Sequence, residues 1–215
     1  MIRHGDWFLN IVMSINISDK YKCIFIHIPR AAGTSIKEAL KLPGRGHLPW
    51  QYYYLVYPEQ WDSYIKFSVV RNPWDRVVSS YSYAKMEKSY WHDNLRRVAP
   101  HPDYALLSQK TFSDCCEILR DRRTLLKHEA WHPQHVWVAK KENGNHSLMV
   151  DLILRHESLE NDFIVLCEKM GIRNIRLPRV NPSNHEKYRS YYTEETKRII
   201  EEVYATDIEL FKYEF

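Results

Sequence analysis

Paired cysteines are missing from this sequence of 215 residues: its four cysteines form no Cys-x-x-Cys motif and no pattern typical of a small disulfide framework. Cys23 and Cys167 lie in apolar runs, where a free thiol behaves as a small hydrophobic group. Structural disulfides are rare in reducing compartments, so this pattern is typical of a chain kept in one. We therefore expect a cytoplasmic protein.

A long hydrophobic run is also missing. The apolar stretch near the N-terminus, Trp7 to Ile17, is interrupted by Asn10, Ser14 and Asn16. It is shorter than the roughly 20 residues that a helix needs to span a bilayer. Because no clean cleavage site follows it, it does not resemble a signal peptide. These absences predict that the chain has no membrane span.

Strong charge of one sign is absent as well. The net charge is +4 and the isoelectric point is near 8.7, with Lys and Arg scattered among Asp and Glu. This is far below the basic load of a nucleic-acid-binding protein, so we exclude nucleic acid as the main partner, whereas an anionic ligand in a local pocket fits. With 44% hydrophobic residues the chain can form one sizeable core. We expect a single domain over residues 1–215, with 1–19 as a lead-in segment.

The most informative feature that is present is a strand followed by a tight turn. Cys23 to Ile28 is an apolar run of strand length, Arg30-Ala-Ala-Gly-Thr-Ser35 follows, and a short helix is expected from about Ser35. Small residues let backbone N–H groups approach a ligand, and the start of a helix favours an anion. The stretch predicts a phosphate or sulfate site, although by itself it also fits a helix start without a ligand.

The order of strand and helix recurs along the chain. Ile65 to Val70 predicts a second strand, and Asn72 and Pro73 are a good N-cap and first position for the helix after it. Leu148 to Leu154 predicts a third strand, again followed by a helix, which runs to Met170. Alternating strands and helices indicate an α/β fold with a parallel sheet that binds ligands at the carboxyl ends of its strands.

The turn differs from the ATP- and GTP-binding loop, Gly-x-x-x-x-Gly-Lys-Ser/Thr, in having Ile28 for the first glycine and Thr34 for the lysine. It instead resembles the Pro-Lys-Thr-Ala-Gly-Thr-Ser loop of sulfotransferases, which grips the 5′-phosphosulfate of 3′-phosphoadenosine-5′-phosphosulfate (PAPS). The resemblance implies a three-layer α/β sandwich with a central parallel sheet, the P-loop-NTPase-like sulfotransferase fold. It assigns binding of PAPS to Arg30, Ala31, Ala32, Gly33, Thr34 and Ser35.

A second motif follows the second strand. Arg71-Asn-Pro-Trp-Asp-Arg-Val-Val-Ser79-Ser-Tyr is similar to the Arg-x-Pro-x-x-Arg-x-x-Ser-x-Tyr signature by which sulfotransferases hold the 3′-phosphate of the donor. An arginine at a strand end can fork onto phosphate oxygens. Helical spacing places Arg76, Ser79, Ser80 and Tyr83 away from the buried face or on its margins. The Ser79 hydroxyl, two turns into the helix, can donate a hydrogen bond to phosphate. Taken alone, Arg71 and Ser79 would more often have a structural role. Together with the turn from Arg30 to Ser35, however, they give two anion sites, which fit a ligand with two phosphates.

His47 is the expected base. In the glycan-modifying branch of the family, a histidine in a Gly-His loop between the two phosphate motifs takes the proton of the acceptor hydroxyl. Gly46-His47-Leu48 stands in that interval. A neutral imidazole can accept such a proton at neutral pH. The resemblance therefore implies a glycan or glycolipid acceptor, while a loop histidine that bonds a backbone carbonyl is the alternative.

Arg30 departs from the family, whose loop usually carries a lysine that stabilises the bridging oxygen as the sulfuryl group leaves. Arginine does not give up its proton, so we expect Arg30 to be catalytic through its charge and forked hydrogen bonds. Ala31, commonly a threonine in the family, removes one hydroxyl contact. These changes leave open a nucleotide- or glycan-binding protein of this fold with weak or no activity. An atypical P-loop kinase is a further alternative, which Thr34 disfavours.

Two later segments extend the resemblance to residues 21–215. Arg155-His-Glu-Ser-Leu-Glu-Asn-Asp-Phe163 is similar to the Arg-x-Glu-x-Leu-x-x-Asp-Phe segment of these enzymes. Asn181 to Tyr192 resembles their late loop, part of which lies near the nucleotide. This implies that Tyr188 and Arg189 bind the donor or the acceptor, with a surface role as an equal alternative.

No metal is expected. His128, His132 and His135 have spacings that suggest a metal site, but Pro133 interrupts any helix that would present them, and no carboxylate or thiolate set joins them. Sulfuryl transfer in the family also needs no metal. The expected partners are therefore the nucleotide donor and the acceptor.

Overall fold

The computed structural model describes residues 15–44, 46–87, 99–121, 128–178 and 187–215. Within these residues the strands β1 to β6 are Ile17–Ser18, Cys23–Ile26, Ile65–Val70, Ala139–Glu142, Asn145–Leu148 and Leu152–Arg155. The α-helices α1 to α10 are Gly33–Leu40, Trp50–Val56, Pro58–Ser63, Pro73–Ala84, Tyr104–Leu107, Phe112–Asp121, His135–Val138, Leu159–Lys169, Glu194–Val203 and Ala205–Phe211. Short 3-10 helices cover Glu129–Trp131, His156–Ser158 and Tyr188–Tyr191.

These residues form two compact units. The first lies within Met1–Arg71 and Gln134–Pro182, and the second lies within Asn72–Pro133 and Ser183–Phe215. The first unit holds the strands, and the second is built from α4, α5, α6, α9 and α10. In the part of the chain that the structure describes, no helix is both long enough and apolar enough to cross a bilayer. The expectation of a single domain stays a prediction.

The first unit is organised around a four-stranded sheet in the order β1-β2-β3-β6. Strands β2, β3 and β6 are parallel, and β1 pairs with β2 in the antiparallel direction. Cys23 to Ile26 is buried throughout, as expected for a parallel strand covered on both faces. The sheet therefore confirms the α/β fold with a central, mostly parallel sheet.

The register of the sheet brings the ends of its parallel strands together. Ile26 pairs with Ser68, whose hydroxyl donates to the Ile26 carbonyl at 2.6 Å, and Val70 pairs with Arg155. The chain continues from β2 into the turn before α1, and from β3 into Arg71. Both segments with a predicted anion site consequently begin at the same edge of the sheet.

The second unit contains α4, which carries most of the motif that begins at Arg71. Asn72 caps α4, because its side chain accepts hydrogen bonds from the backbone N–H groups of Trp74 at 3.0 Å and Asp75 at 3.5 Å. Pro73 occupies the first turn. This start agrees with the sequence-based prediction.

Helix α4 is more buried than its helical pattern predicts. Arg76 is 2% exposed and Ser79 is 1% exposed. The expectation that these two residues lie away from the buried face is wrong, because the segment around Glu129–Trp131 covers that side within the same unit. The Nη1 atom of Arg76 donates to the His132 carbonyl at 2.9 Å, and the Ser80 hydroxyl donates to the Ala130 carbonyl at 3.3 Å.

Two boundaries near the predicted anion turn differ from expectation. Strand β2 ends at Ile26 rather than Ile28, because its pairing with β3 stops at Ser68. Helix α1 begins at Gly33 rather than Ser35. The turn between them is therefore longer on its strand side and shorter on its helix side than the sequence predicts.

The third predicted strand, Leu148 to Leu154, is also corrected. Leu148 closes a hairpin of β4 and β5, and the strand of the main sheet begins only at Leu152. The hairpin turn is Asn143 and Gly144, with φ values of 49° and 83°. An Asn-Gly pair with positive φ at both residues is the favoured two-residue hairpin turn.

Some expectations fall partly outside the described residues. Of the lead-in 1–19, residues 1–14 lie outside them, and Ile17–Ser18 forms the edge strand β1. Residues 88–98 and 179–186 also lie outside them, so most of the predicted late loop is not described.

Candidate active site

The turn after β2 holds two non-glycine residues in the left-handed backbone region. Arg30 has a φ of 65° and Ala32 a φ of 59°. Such residues cost about 1–3 kcal/mol each, and they concentrate at sites that bind ligands. Ala31, between them, is buried. The backbone is thus held in a strained conformation at the place where the sequence predicts an anion site.

The start of α1 follows directly and has no side-chain cap. Its N-cap residue, Ala32, offers no side-chain acceptor, and the Ser35 N–H donates to the Ala32 carbonyl at 3.1 Å. Thr34 is exposed and Ser35 is buried. A helix start without a side-chain cap, at the positive end of the helix dipole, is suited to a phosphate or sulfate oxygen. The residues predicted for donor binding from Arg30 to Ser35 therefore form the end of the turn and the first turn of α1.

Arg71 contacts this turn through its side chain. It follows β3, is 4% exposed, and its guanidinium Nη1 donates to the Arg30 carbonyl at 3.3 Å. The structure thus brings together two predicted site segments that are about forty residues apart in the chain, as the carboxyl-end rule for parallel sheets predicts. A guanidinium here supplies positive charge and forked donors for a phosphate group.

Gln134 fixes the backbone of Arg71. Its Oε1 accepts from the Arg71 N–H at 2.9 Å, and its Nε2 donates to the Arg71 carbonyl at 2.8 Å. The Gln134 side chain is fully buried. Its amide makes two hydrogen bonds to the Arg71 backbone, as a neighbouring strand would do beside the end of β3. Sequence analysis missed this residue, because a single glutamine after Pro133 carries no motif.

His47 lies between α1 and α2 in a segment without regular structure, as predicted. The centroid of its ring is 4.3 Å from that of His27, the residue that follows β2. Burial, and then the nearby charges of His47 and Lys37, hold the pKa of His27 well below its ordinary value, while a backbone hydrogen bond with Gly46 opposes the shift. His47 therefore lies beside His27, the first residue of the turn, whose imidazole is neutral. His27 was not singled out from the sequence, where its only signal is a polar residue that closes an apolar run.

Residues 13–214 match the family model of the sulfotransferases. The chain therefore belongs to the sulfotransferase family. The crystal structure of mouse sulfotransferase SULT7A1 complexed with PAP is similar to the chain, with a TM-score of 0.52 and 12% sequence identity over 97% of this chain and 91% of that chain. At this identity the likeness shows the fold. No curated protein sequence matches the chain.

This membership confirms the predicted enzyme class and the predicted fold. The protein is a sulfotransferase with a mixed α/β architecture and a central, mostly parallel sheet. The matched range includes the strained turn, His47 and Arg71, as well as the residues of the second unit.

The remaining predicted site residues of the sulfotransferase lie in its second unit. Ser79 is buried in the middle of α4. Tyr188 and Arg189 belong to a 3-10 helix whose side chains contact the last residue: the Arg189 Nη2 donates to the Phe215 carbonyl at 2.7 Å, and the Tyr188 ring lies 5.6 Å from the Phe215 ring. Their predicted roles in binding the nucleotide stay predictions.

The second unit also contains a group of possible metal ligands that the sequence did not suggest. His128 lies with His101 and Asp103, and their ligand atoms are within 4.8 Å of one another. The Nδ1 of His101 accepts from the Asp103 N–H at 3.1 Å, and the Nδ1 of His128 accepts from the Ala130 N–H at 3.4 Å. These hydrogen bonds stabilise the local backbone. The expectation that the sulfotransferase needs no metal stays a prediction.

The segment Arg155 to Phe163 has a structural role in the sulfotransferase. The Asp162 carboxylate accepts hydrogen bonds from the Arg155 N–H at 2.7 Å and from the Ser158 hydroxyl at 3.0 Å. It thereby joins the end of β6 to the first turn of α8. The aspartate of this motif therefore fixes a strand-to-helix connection.

Proposed function

We propose that the enzyme transfers the sulfuryl group of PAPS to a hydroxyl group of a carbohydrate. The observation that carries this proposal is the 3.3 Å hydrogen bond from the Arg71 guanidinium to the Arg30 carbonyl. It joins two segments that resemble the two phosphate-binding motifs of the family. The PAP complex of the similar mouse sulfotransferase supports the same class of nucleotide.

The turn residues hold the end of the donor that reacts. The N–H groups at the start of α1 and the charge of Arg30 bind the 5′-phosphosulfate and stabilise the negative charge that develops on the bridging oxygen as sulfur leaves it. The strained φ values at Arg30 and Ala32 support this role, since they aim backbone groups before any ligand binds.

Arg71 and Ser79 hold the 3′-phosphate. The guanidinium of Arg71 can donate two hydrogen bonds to phosphate oxygens, and the Ser79 hydroxyl can donate one. Gln134 supports the role of Arg71, because it fixes the backbone on both sides of the Arg71 Cα atom. The role of Ser79 rests on the motif.

His47 accepts the proton of the acceptor hydroxyl. As the acceptor oxygen bonds to sulfur, the bond between sulfur and the bridging oxygen of the 5′-phosphate breaks, and the hydroxyl proton passes to the His47 imidazole. The position of His47 beside His27, at the beginning of the turn, supports this role. Its place in a Gly-His loop supports a glycan or glycolipid acceptor.

The aromatic helix α2 follows His47 and supports a sugar acceptor. Tyr54, which follows the buried Tyr53, is 49% exposed, and Leu55 is 74% exposed. Flat aromatic faces suit the apolar faces of sugar rings. The predicted cytoplasmic location is part of this proposal, and it is supported by the four cysteines, which are free and buried.

The test compares two nucleotides and two proteins, the wild type and Arg71→Ala. We expect 3′-phosphoadenosine-5′-phosphate (PAP) to bind the wild type far more tightly than adenosine 5′-phosphate, which lacks the 3′-phosphate. Arg71→Ala should weaken the binding of PAP by about 10- to 100-fold, as expected for the loss of a charged hydrogen bond. The affinity for adenosine 5′-phosphate should stay nearly unchanged. Calorimetric titration measures both constants. Equal loss for the two nucleotides would contradict the assignment of the 3′-phosphate to Arg71.

Radiolabelled PAPS identifies the acceptor. Incubation with a panel of glycans and glycolipids should label at least one product, and His47→Ala should lower its rate by about 10²- to 10⁴-fold while PAP still binds. Full turnover by His47→Ala would remove His47 from the mechanism. Tight PAP binding without any labelled product would instead identify a nucleotide-binding protein of this fold.

A further inference from the structure

His27 is a buried histidine at the junction of the donor turn and the proposed base. It follows β2, is 7% exposed, and stacks on Phe25 with ring centroids 5.5 Å apart and an interplanar angle of 23°. Its other ring neighbour is His47, at 4.3 Å and 51°. The ring therefore lies between a core residue of the sheet and the loop that carries the proposed base.

The same ring lies against the first residue of α1. A Cβ atom on Gly33 would come within 2.0 Å of the His27 Cδ2 and 2.1 Å of its Nε2. The space that a side chain would need at Gly33 is thus filled by the His27 imidazole. A glycine is required at this helix start because of His27.

His27 does not act as a proton carrier in this position. Its ring is buried, and its Nδ1 has no hydrogen-bond partner among the described residues. Burial first, and then the charges of His47 and Lys37, keep the pKa of the ring low. The imidazole stays neutral, is packed on three sides, and makes a backbone hydrogen bond with Gly46, the residue before His47.

We propose that His27 is a positioning residue, whose buried ring holds the His47 ring in its working orientation at the donor turn. This inference rests on the proposed role of His47 as base. His47 lies in a segment without regular structure, and the His27 ring is packed against it. Through Gly33 and His47 the same ring links the place of the donor phosphate to the place of the proton acceptor.

The experiment compares three variants. His27→Ala removes the ring, and His27→Phe keeps a flat ring but removes both nitrogens. The control is His146→Ala, which breaks a second histidine pair of the same unit, that with His135 at a centroid distance of 5.0 Å. Each protein is examined for kcat and KM in sulfate transfer, for the Kd of PAP, and by NMR of the His47 imidazole.

We expect His27→Ala to lower kcat by about 10- to 100-fold, because a catalytic group displaced by about 1 Å can lose that much rate. The Kd of PAP should change little. In the NMR spectrum the His47 ring resonances should shift and broaden. His27→Phe should recover most of the lost turnover and a narrow His47 signal, and His146→Ala should match the wild type in all measurements.

Three results would overturn the inference. One is a His27→Ala protein with wild-type kcat and an unchanged His47 spectrum. Another is a folded His27→Phe protein that binds PAP but has a kcat as low as that of His27→Ala. This would show that the ring nitrogens of His27, and not the packing of its ring, are needed for turnover. The third is an equal additional loss of kcat when His27→Ala is added to His47→Ala, because a residue that acts through His47 has no further effect once His47 is gone.

The NMR measurement separates this inference from the proposed function. If the wild type labels no acceptor, the assignment of a transfer reaction fails, but the His47 spectrum of the His27 variants still shows whether the ring contact orients His47. If the wild type is active and the His47 spectrum does not respond, only the positioning role of His27 fails.

Discussion

Arg30 stands where the sulfotransferase loop that this turn resembles usually carries a lysine. It has a left-handed backbone, and its carbonyl accepts a hydrogen bond from Arg71. The backbone of position 30 is therefore fixed by contacts that do not depend on its side chain. A change of side chain tests the chemistry of the cation separately from the shape of the turn.

We predict that Arg30→Lys keeps or raises the kcat of sulfate transfer, whereas Arg30→Ala lowers it by about 10²- to 10³-fold, the loss typical of one group that stabilises developing charge. Lysine restores the donor that the family uses at the bridging oxygen. Lys41→Ala is the matched control, because Lys41 also has a positive φ, 51°, but lies at the other end of α1. Wild-type turnover by Arg30→Ala would show that the amides alone hold the leaving group.

The neutral state of His27 also has a consequence for stability. Its pKa in the native protein is lowered, chiefly by burial and then by the charges of His47 and Lys37, whereas in the unfolded chain it titrates near its ordinary value. The unfolded state therefore takes up a proton below about pH 6.5 that the native state refuses. The stability linked to His27 is complete above that pH and is lost as the pH falls.

We expect the wild type to lose about 1 kcal/mol more stability than His27→Phe between pH 7.5 and pH 5.5, as one linked proton allows. Urea unfolding at the two pH values measures the difference. His146→Ala, which leaves the buried ring in place, should follow the wild type. The linkage is wrong if His27→Phe loses as much stability as the wild type.

Among the elements, those at the proposed site could be predicted because their signals are local. An apolar run, small residues and a helix start define the turn after β2, and Asn72 with Pro73 defines the start of α4. Burial of Ser79 could not be predicted, because the segment that covers α4 is about fifty residues away in the chain. Gln134 and His27 were missed for the same reason: their roles exist only through contacts made by folding.

The β4–β5 hairpin was missed for a different reason. Its turn residues, Asn143 and Gly144, are a strong hairpin signal, but strands β4 and β5 are mostly exposed and lack an alternating apolar pattern. The apolar run around Leu148 predicts a strand of the main sheet, although β5 ends there. The Asn-Gly turn, and not the apolar run, is the local signal of this hairpin.

Loss of the side-chain cap of α4 should lower the stability of the protein. Asn72 accepts two backbone N–H groups with its Oδ1 and donates to the Glu214 carbonyl at 2.8 Å with its Nδ2. Asn72→Ala should lower the free energy of unfolding by about 2 kcal/mol, as expected for a lost cap together with a lost buried hydrogen bond. Asn72→Ser should lose about half as much, since its hydroxyl keeps the cap.

Urea unfolding followed by circular dichroism measures these losses. Asn161→Ala, an exposed asparagine in α8, should show no loss, because alanine is the better helix former. If Asn72→Ser and Asn72→Ala are equally unstable, the bond to Glu214 and not the cap stabilises this helix start.

For the whole molecule, the decisive property is which nucleotide stabilises the fold. A ligand that binds only the native state adds about 2.7 kcal/mol at one hundred times its Kd. For a chain of 215 residues this corresponds to a rise in Tm of roughly 5–10 °C. The sequence of the turn, with Thr34 at the place of the Walker lysine, predicts that PAP and not ATP is that ligand.

We therefore predict that PAP raises Tm by this amount, that EDTA does not diminish the rise, and that ATP with Mg²⁺ at the same concentration gives a much smaller one. Thermal unfolding of the full chain measures all three. Arg71→Ala is the control, since it should lose most of the response to PAP while its own Tm without nucleotide shows whether it is folded. A larger response to ATP with Mg²⁺ than to PAP would favour a kinase-like use of the turn, because phosphoryl transfer depends on metal-bound triphosphate. Loss of the PAP response in EDTA would show that a metal takes part in binding, against the metal-free site expected from the sequence.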